Sequence, residues 1–244
     1  MRIAYVVEED ATDEQIALTR SQAEALAAIG HDVQVGASEA NHADVIVRTS
    51  DLPTVVIVDE GFYRTRMPRE NEPMRVLLAG AAHDETNGIS DGYGAVAHAR
   101  WFHQKFDLIR ASRWAPSREE PLESVQEFHV GLDPIERIRL LHTCDVVIAP
   151  SHGEEPFGLA AAEAMASGVP AVLSSIPAHG TGDHALFAPA ENAVELGERL
   201  IELLSDYELR ERIREKGRAF AERWRATNAA ARLEQFLVDR QSVR

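Results

Sequence analysis

Two carboxylates eight positions apart, Glu155 and Glu163, are the residues of this sequence best placed to do chemistry. Glu163 is the one formally charged residue between Pro156 and Gly182, and it stands in the alanine-rich run Leu159 to Ala166. A helix beginning near Phe157 and ending at Gly168 fits the breakers at both ends. Apolar segments flank it, Val146-Val147-Ile148 before and Ala171-Val172-Leu173 after. Strand, turn, apolar helix and strand describe a βαβ unit of a parallel sheet. Such a helix packs on the sheet over most of its surface, which buries Glu163 at least in part. An ionised carboxylate buried without a partner costs several kcal/mol. No cation stands near Glu163 in sequence, so either a distant cation matches it or it faces a cleft where a ligand's hydroxyl groups meet it. Hydroxyls donating to a charged carboxylate contribute about 1.5–3 kcal/mol each.

The elements that must position these carboxylates read as α/β. Arg2 to Val7 forms a first buried strand, and a helical pattern from about Thr12 to Ile29 stops at Gly30. Three strands follow quickly, at His31–Val35, Asp44–Val47 and Thr54–Val58. Residues 59–73 are rich in Arg, Glu and Pro and read as a linker. A second run then begins. It comprises a strand at Met74–Ala79, a helix from about Tyr93 to Phe102, a strand at Phe106–Arg110 and another at Val125–Val130. A short helix from Pro134 to His142 and a strand at Asp145–Ala149 lead into the Glu163 helix. After it come a strand at Ala171–Ser174 and a short one at Ala185–Phe187. Helical patterns at Ala193–Leu204, Tyr207–Trp224 and Thr227–Val238 finish the chain. Arg210, Arg212, Arg214 and Arg218 alternate with Glu208, Glu211 and Glu215, the pattern of a solvated helical face.

Composition narrows the function classes. A net charge of −15 argues against nucleic acid and against an anionic membrane surface as partners. The single cysteine, Cys144, excludes an intrachain disulfide and reads as a core thiol in a reducing compartment. The histidines are scattered without ligand spacing, so no metal site is expected. Glu8-Glu9-Asp10 interrupts the first apolar run, so the expectation is a cytoplasmic protein with no membrane span.

The block Ala-Pro-Ser (149–151), Glu155-Pro156-Phe157-Gly158-Leu159, Glu163-Ala164-Met165-Ala166 and Gly168-Val169-Pro170 resembles the signature of family 4 (group 1) retaining glycosyltransferases of the GT-B fold. The carboxylates have that family's E-x7-E spacing. His184 to Pro189, the final helices, Val76 to Gly80 and Cys144 to Ser151 extend the resemblance over roughly residues 74–237. It implies two Rossmann-like lobes with parallel sheets, the N-terminal one abbreviated (residues 1–59) and the donor lobe with the helical C-terminus spanning 60–244. It also implies that the final helix returns to the first lobe. By resemblance, Glu155 meets the donor sugar and is the catalytic candidate. Glu163 accepts hydrogen bonds from the nucleotide ribose, and backbone at Phe157, Gly158, Leu159 and Gly80 lines the sugar diphosphate. The substrate implied is a nucleotide diphosphate sugar, with no cofactor required and an acceptor the sequence does not name. Association into a homo- or hetero-oligomer stays open.

The sequence departs from the family in two places. Where members carry an arginine after the first donor-lobe glycine and a lysine further on, this chain has Ala81 and Asn87. Two lost charge-assisted bonds to phosphate would cost roughly 3–6 kcal/mol, more than the 0.3–1 kcal/mol or so supplied by a helix N-terminus. Arg110 and Arg113 are the replacement candidates, although Arg110 reads equally well as a surface residue. The loop after the first strand is acidic and lacks glycine, which repels a diphosphate. A non-catalytic partner subunit that keeps the donor lobe as a scaffold is therefore the alternative reading.

Overall fold

A computed structural model describes residues 2–6, 13–36, 45–48, 58, 60–63, 73–102, 104–153, 159–176, 179 and 181–242. The chain divides into two compact units. The first comprises residues 1–58 together with 223–244, and the second comprises residues 59–222. The last helix therefore groups with the N-terminal residues.

The smaller unit holds β1 (Arg2–Val6), α1 (Asp13–Ala28), β2 (Asp32–Val35), β3 (Val45–Arg48) and α7 (Ala226–Ser242). Its three strands are parallel in the order β2-β1-β3. Ile3, Tyr5, Leu26 and Val47 pack with Ala229, Leu233 and Leu237 of α7 in one buried cluster. The expected strand at 54–58 falls almost wholly outside the described residues.

The larger unit is a six-stranded parallel sheet in the order β6-β5-β4-β7-β8-β9. The strands are β4 (Met74–Ala79), β5 (Phe106–Ser112), β6 (Glu127–Val130), β7 (Val146–Ala149), β8 (Ala171–Ser175) and β9 (Leu186–Pro189). Its helices are α2 (Ile89–Trp101), α3 (Pro134–Leu141), α4 (Leu159–Ala166), α5 (Ala193–Ser205) and α6 (Tyr207–Ala221). Val76, Leu78, Leu108, Val146, Ile148 and Val172 pack under α2 and α5 in one cluster. The alternate residues Leu77, Ile109, Val147 and Leu173 are equally buried, so both faces of the sheet are covered. That requires strands that are apolar throughout rather than alternating, as Val146-Val147-Ile148-Ala149 is.

Two readings need correction. The stretch taken for a linker contains a short 3-10 helix, Glu60–Tyr63. There Phe62 and Tyr63 are buried, the Tyr63 hydroxyl donates to the Ala221 carbonyl at 2.7 Å, and Arg218 donates to the Tyr63 carbonyl at 2.9 Å. The arginine-rich helix α6 is only partly a solvated face. Arg212 is exposed, but Arg210 caps α5 by donating to the Leu203 and Leu204 carbonyls at 2.6 and 3.1 Å. A guanidinium against terminal helix carbonyls answers groups the helix itself cannot satisfy.

Candidate functional site

Strand order places the site. From β4 the chain moves outward one way through β5 to β6, then returns to β7 on the other side of β4 and continues through β8 to β9. The loops after β4 and β7 therefore leave the sheet in opposite directions, and in an open parallel sheet ligands bind outside the carboxyl ends of the strands at this switch point. In a parallel sheet each connecting helix runs back against the strands. The N-termini of α2, α3 and α4 thus all lie at this edge, with their unpaired amide groups.

The two switch-point loops are locked together. Gly88 has φ 59°, and a Cβ there would run into the carbonyl oxygen of Pro150, far inside van der Waals contact. The backbone amide of His152 donates to the Thr86 carbonyl at 2.8 Å. Nε2 of His152 lies 2.6 Å from Oδ2 of Asp91, in the first turn of α2. The loop that leads to Glu155 is thereby pinned to α2 as far as Gly153.

Glu163, in the second turn of α4, is 4% exposed. Arg137 of α3 meets it, with Nη2 2.9 Å from Oε1 and Nε 3.3 and 3.2 Å from Oε1 and Oε2. Arg137 Nη1 also donates to the Leu132 carbonyl at 3.3 Å. The first turn of α3 is held by a capping box between Asp133 and Glu136 with Pro134 at its start, the arrangement that satisfies the first free amides of a helix. The distant-cation alternative for Glu163 is thus realised, 26 residues upstream. Sequence reading missed Arg137 because it searched the neighbourhood along the chain. The available signal was topological, since the first turns of consecutive crossover helices share one edge of the sheet.

Arg110 is neither at the surface nor facing the loops as a free cation. It is fully buried. Its Nε and Nη2 donate to Oε2 of Glu120 at 3.0 and 2.8 Å, and its Nη groups donate to the carbonyls of Leu78, Gly80 and Ala111 at 2.8–3.2 Å. The Tyr93 hydroxyl donates to the same Glu120 oxygen at 2.9 Å, and burial pushes the Tyr93 phenol up to about 12. The arginine holds the carbonyl of Gly80 at the end of β4. Gly80 itself has φ 131°, and a Cβ there would press on Asn87 and Ile89 at 3.0–3.2 Å. Of the other site candidates, Leu159 begins α4 and is exposed, while Glu155, Phe157 and Gly158 lie outside the described residues. The structure therefore brings Gly80, Leu159 and Glu163 to one edge of the sheet.

Solved structures share this architecture. The C-terminal domain of a glycosyl transferase group 1 family protein from Francisella tularensis aligns at a TM-score of 0.50 and 20% identity, covering 62% of this chain and 84% of that one. A glycosyltransferase from Rickettsia africae aligns at a TM-score of 0.60 and 15% identity over 80% of this chain and 57% of its own. The catalytic domain of a cholesterol-alpha-glucosyltransferase from Helicobacter pylori aligns at 0.51 and 19% identity, over 63% of this chain and 99% of its own. These likenesses show the fold, an α/β GT-B-like architecture.

Sequence narrows the class. Residues 115–220 match the family described as Glycosyl transferases group 1. Over 121 residues it is 34% identical to a glycogen synthase of Mycobacterium tuberculosis, a match spanning 47% of this chain and 28% of that protein. Over 131 residues it is 31% identical to a D-inositol 3-phosphate glycosyltransferase of Corynebacterium aurimucosum, covering 52% of this chain and 31% of that one. The chain spans less than a third of the length of these curated relatives.

Among the described residues no group of three or more His, Cys, Asp or Glu is arranged to hold a metal ion, and no helix is long and apolar enough to cross a membrane.

Proposed function

We propose that this chain is a family 4 retaining glycosyltransferase that moves a sugar from a nucleotide diphosphate sugar to an acceptor. The observation that carries the reading is Glu163. It is a buried carboxylate in the second turn of a helix that starts at the switch-point edge of a group 1 glycosyltransferase domain. A ribose offers such a carboxylate two hydroxyl donors. The backbone amides of Phe157, Gly158 and Leu159 are the groups proposed to meet the sugar diphosphate, with the N-terminus of α4 favouring its charge. Glu155, eight residues before Glu163, is proposed to act at the sugar. The leaving diphosphate takes the acceptor's proton, so no separate base and no cofactor is required.

Glu155→Gln tests this most directly. The substitution keeps the shape of the side chain and removes its charge. Sugar transfer, or hydrolysis of the donor in the absence of an acceptor, should fall by at least 100-fold, about 2.7 kcal/mol of transition-state stabilisation. Unchanged turnover would sink the catalytic assignment.

Ala81 and Asn87 favour a second reading, a non-catalytic subunit that keeps the donor lobe as a scaffold. Arg110 does not replace the missing cations, because its guanidinium is committed to Glu120 and three carbonyls. Titration of the chain with UDP-, GDP- and ADP-sugars separates the two. Micromolar binding that Glu163→Ala abolishes supports the transferase, and no binding at millimolar ligand supports the scaffold.

A further inference from the structure

The ion pair between Arg137 and Glu163 is unevenly buried. The Glu163 side chain is 5% exposed and the Arg137 side chain 35%. A pair made only for stability would gain from having both partners covered and fully bonded, and buried pairs of that kind often contribute little. Here a third of the arginine side chain stays exposed beside a carboxylate that is almost closed off. Its position is fixed from three directions. The capping box at Asp133 and Glu136 sets the first turn of α3, the Leu132 carbonyl holds Nη1, and Glu163 holds Nε and Nη2. Arginine's planar fork retains more of its order per bond formed than the flexible ammonium of lysine.

We propose that Arg137 is a binding and positioning residue for the ribose of the donor nucleotide. It holds the Glu163 carboxylate in one orientation, and it turns a remaining N–H toward the same hydroxyls. The proposal rests on the reading of Glu163 as the ribose site given above. A cis-diol suits the combination, because each hydroxyl is both donor and acceptor. Its protons go to the carboxylate and its oxygen lone pairs receive the guanidinium. A carboxylate alone answers only the first half of that pattern. The pair therefore discriminates ribo- from 2′-deoxyribonucleotides more sharply than Glu163 could by itself, since a diol lacking one hydroxyl forfeits both a bond to the carboxylate and a bond from the guanidinium. A site built to hydrogen-bond a hydroxyl rejects an analogue that lacks it.

Calorimetric titration of the full chain with UDP, GDP and ADP, and with their 2′-deoxy counterparts, tests this. In the wild type the tightest ribonucleotide should bind at least 30-fold more tightly than its deoxy form. Arg137→Ala should weaken the ribonucleotide at least tenfold and reduce the ratio below about five. Arg137→Lys keeps the charge beside Glu163, so the fold is retained even if the alanine variant does not fold. It lacks the planar fork, and its ratio should also fall below about ten. Equal affinities and an unchanged ratio in folded Arg137 variants, with binding lost in Glu163→Gln, would overturn the role of Arg137 and leave the ribose site standing. Absence of binding by the wild type at millimolar concentrations of all three ribonucleotides would overturn both. A ratio near one in the wild type, with binding still lost in Glu163→Gln, would refute the discrimination alone.

Discussion

Removing Glu120 should destabilise the larger unit more than any surface change. The Glu120 side chain is 4% exposed and pairs with an arginine that is not exposed at all. Its two oxygens take donors from Arg110 Nε and Nη2, from the Tyr93 hydroxyl and from the Ser117 amide at 2.8–3.2 Å. Glu120→Ala leaves the guanidinium buried with three carbonyls but no counter-charge. Breaking a buried pair from one side costs about 3–5 kcal/mol. Glu120→Gln keeps the shape and one acceptor oxygen and should cost about half of that. In urea, with a denaturant slope of about 3 kcal/mol per molar for a chain of this size, Glu120→Ala should lower the midpoint by roughly 1–1.7 M. The double variant Arg110→Met/Glu120→Ala removes the stranded charge, so its cost should fall well short of the sum of the two singles. Non-additivity of that sign is what a coupled pair produces. A midpoint shift below about 0.3 M for Glu120→Ala, or strict additivity in the cycle, would refute the view that this pair anchors the end of β4.

Two further outcomes follow from the geometry. Gly88→Ala places a Cβ against the Pro150 carbonyl at a left-handed φ, so it should cost more than about 1 kcal/mol and lower the melting temperature by at least about 2–4 °C. An unchanged melting curve would show that the two loops do not touch as described. Hydrogen bonding from Arg75 holds the Glu127 carboxyl down at about 2, below its ordinary 4.5. A depressed folded value means stability that is present above pH 4.5 or so and is lost as pH falls toward 2. The Glu127 side chain is 41% exposed, so solvent screening limits the contribution to about 1 kcal/mol or less. Glu127→Gln should thus trail the wild type slightly at pH 7 and match it near pH 2, and a stability difference independent of pH would contradict the pairing.

Much of the fold was legible because the larger unit's strands are apolar on both faces. Segments such as Val146 to Ala149 and Ala171 to Leu173 announce a covered parallel sheet, and Gly168 marks where the Glu163 helix stops. What did not show was content that breaks the local composition rule. Phe62 and Tyr63 sit in a stretch dominated by Arg, Glu and Pro, yet they are buried, because their short helix packs against α3 and α4 and Tyr63 bonds to the end of α6. Arg110 read as a replacement cation for the phosphates or equally as a surface residue, since nothing within a strand's own pattern reveals that a carboxylate ten residues on, past a polar loop, folds back to meet it.

The candidate site shows the same limit in a more useful form. The E-x7-E spacing and the glycines are local, so the sequence alone nominates Glu163 and Gly80. Charge balance is not local. The motif leaves Glu163 without a neighbour of opposite sign, and burying it in that state would cost several kcal/mol. The deficit itself called for a cation elsewhere, and helix polarity restricts where that cation can stand. Crossover helices in a parallel sheet begin at one edge, so a partner for a carboxylate near the start of α4 belongs in the opening turns of a neighbouring helix. Arg137 meets that condition, in the helix immediately upstream. The same reasoning bears on the diphosphate. Ala81 and Asn87 remove charge from the loop after β4, and Arg110 does not restore it. With Arg110 committed to Glu120, the amides at the N-terminus of α4 are a remaining attraction for phosphate, and a weak one. Weak phosphate binding beside a well-built ribose site predicts a donor recognised more by its nucleoside than by its charge. A nucleoside that competes nearly as well as its diphosphate in the calorimetric titrations would bear this out, and a diphosphate preferred by several hundredfold would reveal a cation other than Arg110 at the phosphates.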